Sequence, residues 1–599
     1  MDTEVIEVNA ATESEAAYVT MALSDAEQWR SANWAKAEAD VRRLRRRIFK
    51  AAREEDPKRV RNLQKLMLRS RSNTVVSIRR VTQLSAGHRT PGIDRTVVVN
   101  DEQRGKLLRE LTEEPRFRPL PVRRVHIPKA NGKKRPLGIP TTRDRVEQAR
   151  VKNALEPEWE ARFEGRSYGF RPGRGCHDAI GAIFQTLARK GAKKLWILDA
   201  DLSSAFDRIN HDRLLNAIEN FPAHREIEGW LKAGVMENGR FAPTEEGTPQ
   251  GGVISPLLLS IALHGMETAA GYDPSLTQLQ RSRKNIPTLV RYADDFVVMC
   301  ATEAEAWQIK EKLTEWLEPR GLTFNDEKTQ VVHTSRGFDF LGFNVRRYGD
   351  KLLIKPSKAA VQKVKREITG RCQRMAGAGT TDLIRNVNPL IKGWSTYYRS
   401  AVSSETFNKL DWWMYKRQYR WGKKRHSKKS RSWVKNAYFG RFNPTRQDNW
   451  VFGDKETGAF MGKFAWTNIK RHVMVKGAAS KDDPDLAEYW RERTRKRKHP
   501  QADGKLAVNL AAKQRGICLL CGLDLIDGAT YEPDSVRDWA NWFHASYRTI
   551  HKHHLIYRSR GGSDHVSNQA LVHSDCHRRH HVSHDYGHQQ NHMPSPRSA

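Results

Sequence analysis

Two rhythms of apolar residues run along the chain. Leu289, Val290, Phe296, Val297, Val298 and Met299 flank an interruption by two adjacent carboxylates, Asp294 and Asp295. Such a run predicts strand, tight turn, strand. Leu195–Leu198 is a second strand-like run, ending in Asp199-Ala200-Asp201, with a helix-like stretch from Ser204 to Asn220 behind it. Strand-like runs separated by Gly/Pro-rich loops give residues 76–348 a mixed α/β character. Residues 350–440 read as helices. Val361, Val364, Ile368 and Cys372 recur there at helical spacing, which predicts a stripe facing the core. Glu27–Arg71 is helix-like and basic, and residues 1–20 look disordered. The chain divides at these shifts into segments 1–75, 76–348, 349–440, 441–510 and 511–599. No apolar run approaches the roughly 20 residues of a bilayer span. The longest, Ile254 to Leu263, is interrupted by Pro256, so no membrane partner is expected.

Charge narrows the class of partner. Lys plus Arg number 105 against 69 Asp plus Glu, a formal charge of +36. That balance favours a polyanion, because basic side chains displace counterions condensed on phosphates. Seventeen Trp and fifteen Tyr favour nucleic acid over acidic membranes, since aromatic faces stack on bases. Residues 411–435 interleave Trp412, Trp413, Tyr415, Tyr419, Trp421 and Trp433 with Lys and Arg, a pattern read as nucleic-acid contact. A second basic run, Arg491 to Lys498, reads as a linker or phosphate-binding arm. The acidic start MDTEVIEVNAATESE is unlike a signal peptide, and six cysteines are too few for a disulfide scaffold. A reducing compartment fits.

Two clusters carry candidate chemistry. Asp294 and Asp295 repel one another at the tip of an apolar hairpin, and partial burial raises the cost. A divalent cation removes the conflict, and a solvated Asp-Asp turn is the plainer alternative. Asp201, at a strand end, could face Asp294 across a sheet. Carboxylates from two strands can hold two Mg²⁺ about 3.5–4 Å apart. One ion would activate a primer 3′-hydroxyl and the other would stabilise the leaving pyrophosphate. Asp295 is expected to matter less than Asp294, because neighbouring strand side chains point to opposite faces. Asp199 shares a face with Asp201. Near the C-terminus, Cys518-x-x-Cys521 and His573-x-x-Cys576 have the two-knuckle spacing of a structural Zn²⁺ site, with buried thiols as the alternative.

Tyr292-Ala293-Asp294-Asp295 resembles the YADD box of reverse transcriptases, and Asp201 with Phe206 resembles their first metal-binding motif, which favours Asp201 over Asp199 as ligand. Thr90–Asp94, Ile127–Gly138, Ser167–Pro172, Gly247–Pro256, Asn325–Thr329 and Phe338–Phe343 resemble, in order, the blocks of group II intron-encoded proteins. The resemblance implies that Phe206 excludes a ribonucleotide 2′-hydroxyl. It places Lys129 and Arg135 on the incoming triphosphate, Gln250 in the nucleotide and template pocket, and Lys328 among the nucleotide contacts. Leu383–Trp394 with Tyr397 and Tyr398 resembles the maturase domain X, which binds intron RNA. Trp394 is expected in the core. His553, His554, Gly561, Gly562, Asn568, His577 and His581 resemble the HNH nuclease. By that resemblance His553 and His577 hold a catalytic divalent cation, with His581 a possible third ligand. His554 is the general base, and Asn568 orients the strand that carries it. His573 stands where many HNH proteins have cysteine, and imidazole still suits zinc.

The implied fold is multidomain α+β. It comprises a basic helical N-terminal extension (1–75), right-hand polymerase fingers and palm (76–348), a helical thumb or domain X (349–440), a basic DNA-binding region and linker (441–510), and a zinc-bearing ββα-metal HNH module (511–599). The implied function is RNA-directed DNA polymerase, splicing maturase and DNA endonuclease in one mobile-element protein. Its partners would be intron RNA, target DNA and dNTPs, in a bacterial cytoplasm and at the nucleoid when active, with an organellar origin left open. Competing readings are a splicing-only maturase, a domesticated or defence-associated reverse transcriptase, and an RNA-copying RNA polymerase.

Overall fold

The computed structural model describes residues 24–85, 87–113, 118–128, 134–496 and 550–583, with a few positions between 510 and 525. The basic N-terminal segment breaks into helices Asp25–Arg30, Trp34–Arg53, Pro57–Arg69 and Arg71–Arg79. Local chemistry explains the breaks. The side chains of Asn33, Asp56 and Ser70 each cap the helix that follows, and Pro57 takes a first-turn position where its missing N–H costs nothing. Val41, Leu44 and Ile48 then pack with Val151, Leu155 and Trp159 of the long helix Thr142–Arg162 in the largest core.

The strands at Thr288–Tyr292, Asp295–Cys300, Trp196–Asp201 and Gln330–His333 lie side by side in that order, all antiparallel. Their residues are buried on both faces, because one face meets the large core and the other meets the core of the following helices. A second sheet pairs Val122–Pro128 with Lys134–Ile139, and adds Val235–Glu237 and Arg240–Ala242 at its edge. The expected single helix over 204–220 is two short ones, Ala205–Arg208 and His211–Ala217. Ser204 is left-handed and Ile209 is extended, so the helical ladder stops and Asn210 caps a new start.

Residues 350–440 are not all helix. A strand, Lys351–Pro356, joins Phe343–Tyr348 and Phe338–Phe340 before the helices Lys358–Arg374, Thr380–Tyr398, Ser404–Arg425 and Arg431–Tyr438 begin. Val364, Ile368 and Cys372 are buried as the stripe predicts. The aromatics of 411–435 depart from their reading. Trp421 is core, and Trp413, Tyr415 and Tyr419 pack partly against it, while Trp412 and Trp433 stay exposed. Trp394, Tyr397 and Tyr398 are all buried, and the two phenols donate to the carbonyls of Leu341 and Gly342 at 3.0 and 3.1 Å. They fasten the helices to the turn between the strands Phe338–Phe340 and Phe343–Tyr348.

Charged anchors tie distant segments together. Arg45, in the helix Trp34–Arg53, donates to Asp482 and Glu156 and is largely buried with both. Arg174 donates to the carbonyls of Gly477 and Ala479, and Asp178 accepts from His472 and from the amide of Val475. Arg171 makes a bidentate pair with Glu160, each side chain only 1% exposed. Breaking such a pair leaves one charge uncompensated. Arg171→Met is therefore expected to lower polymerase stability by about 3–5 kcal/mol in urea unfolding. A loss below about 1 kcal/mol, the range of an exposed ion pair, would contradict that account.

Candidate functional site

The register of the four-stranded sheet sets Asp201 directly opposite Asp295. Directly opposed residues of an antiparallel pair share a face, so these two carboxylates are immediate neighbours. Asp294 lies in the turn before the strand, next to Ala293, whose φ is 58°. The alternation argument that separated Asp294 from Asp295 therefore fails: it applies along a strand, and Asp294 is not in one. Asp201 and Asp295 bond across the sheet end, and Asp294 in the adjoining turn is near enough to feel the charge of Asp201. Burial raises the pKa of Asp294, and Asp201 adds to the rise while Arg135 and Lys328 oppose it. Asp295 is pushed up to about 8 by desolvation, then by the charges of Asp294 and Asp201. One strand turn back, burial lifts Asp199 to about 6, opposed by the amide that Gln330 donates at 3.1 Å. Crowded hard oxygen donors of this kind fit a divalent cation of the magnesium class.

Lys328 forms an ion pair with Asp201, and Asn325 donates to the same carboxylate oxygen at 3.4 Å. Arg135 donates to Gln250 at 2.8 Å, and Gln250 donates to Asp207 at 3.0 Å. That chain links the fingers strand, the Gly247–Gly252 loop and the short helix bearing Phe206. Gly247 is needed there: its φ is +82°, and a Cβ would meet the Asp207 backbone at 2.5 Å. Phe206 is 7% exposed. Its ring meets Phe170 edge-on, with centroids 6.3 Å apart. Lys129 lies outside the described residues.

The C-terminal module pairs the strands Ile550–His554 and Gln569–His573, followed by the helix Ser574–Ser583. Ligand atoms of Cys518, Cys521, His573 and Cys576 all lie within 4.8 Å of one another. Hydrogen bonds from Cys521 and Cys576 hold the Cys518 thiol far below its usual range. Burial works against protonation of His573, but Cys518 and Cys521 raise it to about 10. A soft, thiolate-forming donor set of this geometry fits zinc. His553, His577 and His581 form a second group with ligand atoms within 4.8 Å. His553 is 1% exposed, its Nδ1 has no hydrogen-bond partner among the described residues, and burial lowers it to about 4. A buried neutral imidazole with a bare nitrogen fits a cation.

His554 points the other way and shares a hydrogen bond of 2.8 Å between Nε2 and Asp564. Arg558 in turn pairs with Asp564. Asn568 bonds both the amide and the carbonyl of Ile556 and the carbonyl of Ser563, so it pins the loop that follows the strand carrying His554. Sequence reading missed Asp564, Asp207, Asn325 and Phe170. Asn325 and Phe170 lie inside quoted blocks and could have been weighed. Nothing in the local pattern marks Asp564 or Asp207.

Residues 127–345 match the family described as reverse transcriptase (RNA-dependent DNA polymerase), and 29–111 match its N-terminal domain. Residues 361–439 match the group II intron maturase-specific domain, and 541–583 match HNH endonuclease. The chain is 36% identical over 312 residues to Protein YkfC of Escherichia coli, covering 46% of this chain and 82% of YkfC. It is 33% identical over 319 residues to the group II intron-encoded protein LtrA of Lactococcus lactis, covering 43% of this chain and 53% of LtrA. The matched region thus spans about half of LtrA's length. Among solved structures, telomerase from Candida albicans with a telomeric RNA fragment overlaps 42% of this chain and 50% of its own, at 17% identity and a TM-score of 0.30. No helix among the described residues is long and apolar enough to cross a membrane. With the carboxylate cluster, the thumb helices and the histidine module all falling inside matched segments, the chain belongs to the group II intron-encoded proteins, which join reverse transcriptase, maturase and HNH endonuclease domains.

Proposed function

We propose that this protein binds its intron RNA, assists its splicing, nicks a DNA target with the HNH module and extends the nick by copying RNA into DNA. The observation that carries the polymerase part is the meeting of Asp201, Asp294 and Asp295 at one sheet end. In this reading Asp201 and Asp294 hold two Mg²⁺. When bound, the ions acidify the primer 3′-hydroxyl and neutralise charge on the transferring and leaving phosphates. Asp295 supports the pair from the opposed strand. Lys129 and Arg135 grip the triphosphate, for which a cationic fork suits phosphate oxygens. Gln250, already bonded to Arg135 and Asp207, holds the pocket wall in register. Phe206 presents its ring to the sugar. Lys328 neutralises Asp201 until substrate and cations arrive, and then turns to the nucleotide.

In the HNH module, His554 takes the proton of the attacking water. His553, His577 and His581 hold one divalent cation, and Cys518, Cys521, His573 and Cys576 hold structural Zn²⁺. Asn568 fixes the loop behind the base. A splicing-only maturase is the weaker reading, because Asp201 stands opposite Asp295 and the Cys/His group and the three-histidine group are each drawn together. In this reading the protein works in a bacterial cytoplasm and at the nucleoid when active, a setting the bacterial origin of LtrA supports, with an organellar origin left open.

Asp294→Asn is expected to cut Mg²⁺-dependent cDNA synthesis by about a thousandfold, the loss of several kcal/mol of charge stabilisation. Full activity in primer extension would reject the two-metal assignment. His554→Ala is expected to reduce nicking about 100-fold or more and to leave cDNA synthesis intact. Loss of both activities together would reject a separate nuclease base. A pH effect follows from Asp295. Unfolded, it ionises near its ordinary value, whereas the folded metal-free site holds the proton up to about 8. The folded state therefore binds more protons across that interval, and metal-free stability falls as pH rises from about 4 to about 8. Mg²⁺ should abolish the slope and release protons at pH 7. Calorimetry in buffers of different ionisation enthalpy reads the release directly, and a proton-neutral binding would contradict it.

A further inference from the structure

Eight described residues other than glycine have positive φ, and three of them ring the polymerase site: Ala293 in the catalytic turn, Ser204 before the Phe206 helix, and Phe170. Phe170, at φ 61°, is the only aromatic among the eight. A bulky side chain is a rare occupant of that region, and such strain persists where the surroundings over-determine it. The neighbours of Phe170 do so. The amide of Tyr168 donates to the carbonyl of Arg291 at 2.9 Å, which lays this segment along the catalytic hairpin. Gly169 follows so closely that a Cβ would stand 2.3 Å from the amide nitrogen of Ala293. On the other side Arg171 is locked into its buried pair with Glu160. Phe170 is therefore held at both ends, and its backbone turn aims the ring at Phe206.

The two rings meet edge to face, 73° apart in plane. Phe206 is nearly covered, whereas Phe170 remains 43% exposed. An aromatic left half exposed and in a costly conformation is not explained by core packing. The backbone of Phe206 is held independently, because its carbonyl accepts the amide of Thr248. The ring itself belongs to the largest core, and Phe170 is the aromatic side chain set edge-on against it.

We propose that Phe170 is a specificity-determining positioning residue that braces the Phe206 ring and so sharpens discrimination against ribonucleotides. The inference rests on the reading of Phe206 as the sugar gate. A steric gate rejects a 2′-hydroxyl only if its ring cannot swing aside. The brace supplies that resistance and links it to the catalytic turn through Gly169.

The test compares single-nucleotide extension with dNTP and rNTP in the full-length protein with Mg²⁺. Phe170→Ala and Phe170→Gly both remove the ring, and the glycine variant also relieves the backbone cost. Both are expected to lower the dNTP/rNTP ratio of kcat/KM by about three- to tenfold, the factor an edge-to-face ring pair can contribute. Phe170→Tyr keeps the ring edge and should keep the ratio. Phe206→Ala should lower the ratio further, and adding Phe170→Gly to it should change nothing more. A wild-type ratio in Phe170→Gly would overturn the brace, since the residue would then serve only its backbone turn. An undiminished effect of Phe170→Gly in the Phe206→Ala background would also overturn it. A normal ratio in Phe206→Ala alone would defeat the gate reading and the brace with it, whereas a lowered ratio there with unaffected Phe170 variants would defeat the brace alone. Should Phe170→Ala fail to fold, Phe170→Gly still decides.

Discussion

Bringing Asp201, Asp294 and Asp295 together is unfavourable unless positive charge shares the site, and much of the polymerase fold can be read as the apparatus that makes them meet. The strands carrying them are buried on both faces, so hydrophobic burial fixes the register that opposes Asp201 to Asp295. The left-handed turn at Ala293 then swings Asp294 into the same space. Lys328 and Arg135 oppose the repulsion only in part. The remaining deficit of positive charge is the physical basis for a cation-dependent reaction at this end of the sheet.

The C-terminal module solves a related problem with different donors. Four thiol and imidazole groups are drawn together beside a three-histidine group, and one strand pair with its following helix supplies residues to both. The thiol-bearing group is the softer donor set and the carboxylates at the end of the four-stranded sheet are the harder one, so the two suit different cations. Between them, the anchors from Arg45 to Asp482 and from Arg174 to Gly477 hold the segment beyond the thumb against the N-terminal helix and the polymerase.

Much of the site was legible in the sequence because its chemistry is local. The carboxylates interrupt an apolar hairpin, and the cysteine knuckles carry their own spacing. What the sequence hid was long-range or conformational. Tyr397 and Tyr398 belong to the stretch that resembles an RNA-binding domain, but their hydroxyls find the carbonyls of Leu341 and Gly342 and they are buried. Most aromatics of 411–435 are likewise spent on the thumb core, a use that composition cannot distinguish from base stacking. The helix expected over 204–220 is cut where Ile209 leaves helical geometry and Asn210 caps a new start, a break that the apolar spacing does not mark. Asp564 meets His554 across ten residues of loop, and Phe170 owes its direction to Gly169 and Arg171 rather than to its own preference.

The most direct measurement of the central claim is anomalous diffraction from crystals of the protein with template, primer, a non-hydrolysable dNTP and Mn²⁺. Two peaks about 3.5–4 Å apart, bridged by the carboxylates of Asp201 and Asp294 and touching the triphosphate, are predicted. A nucleotide bound in the cleft with no metal against either aspartate would contradict the account.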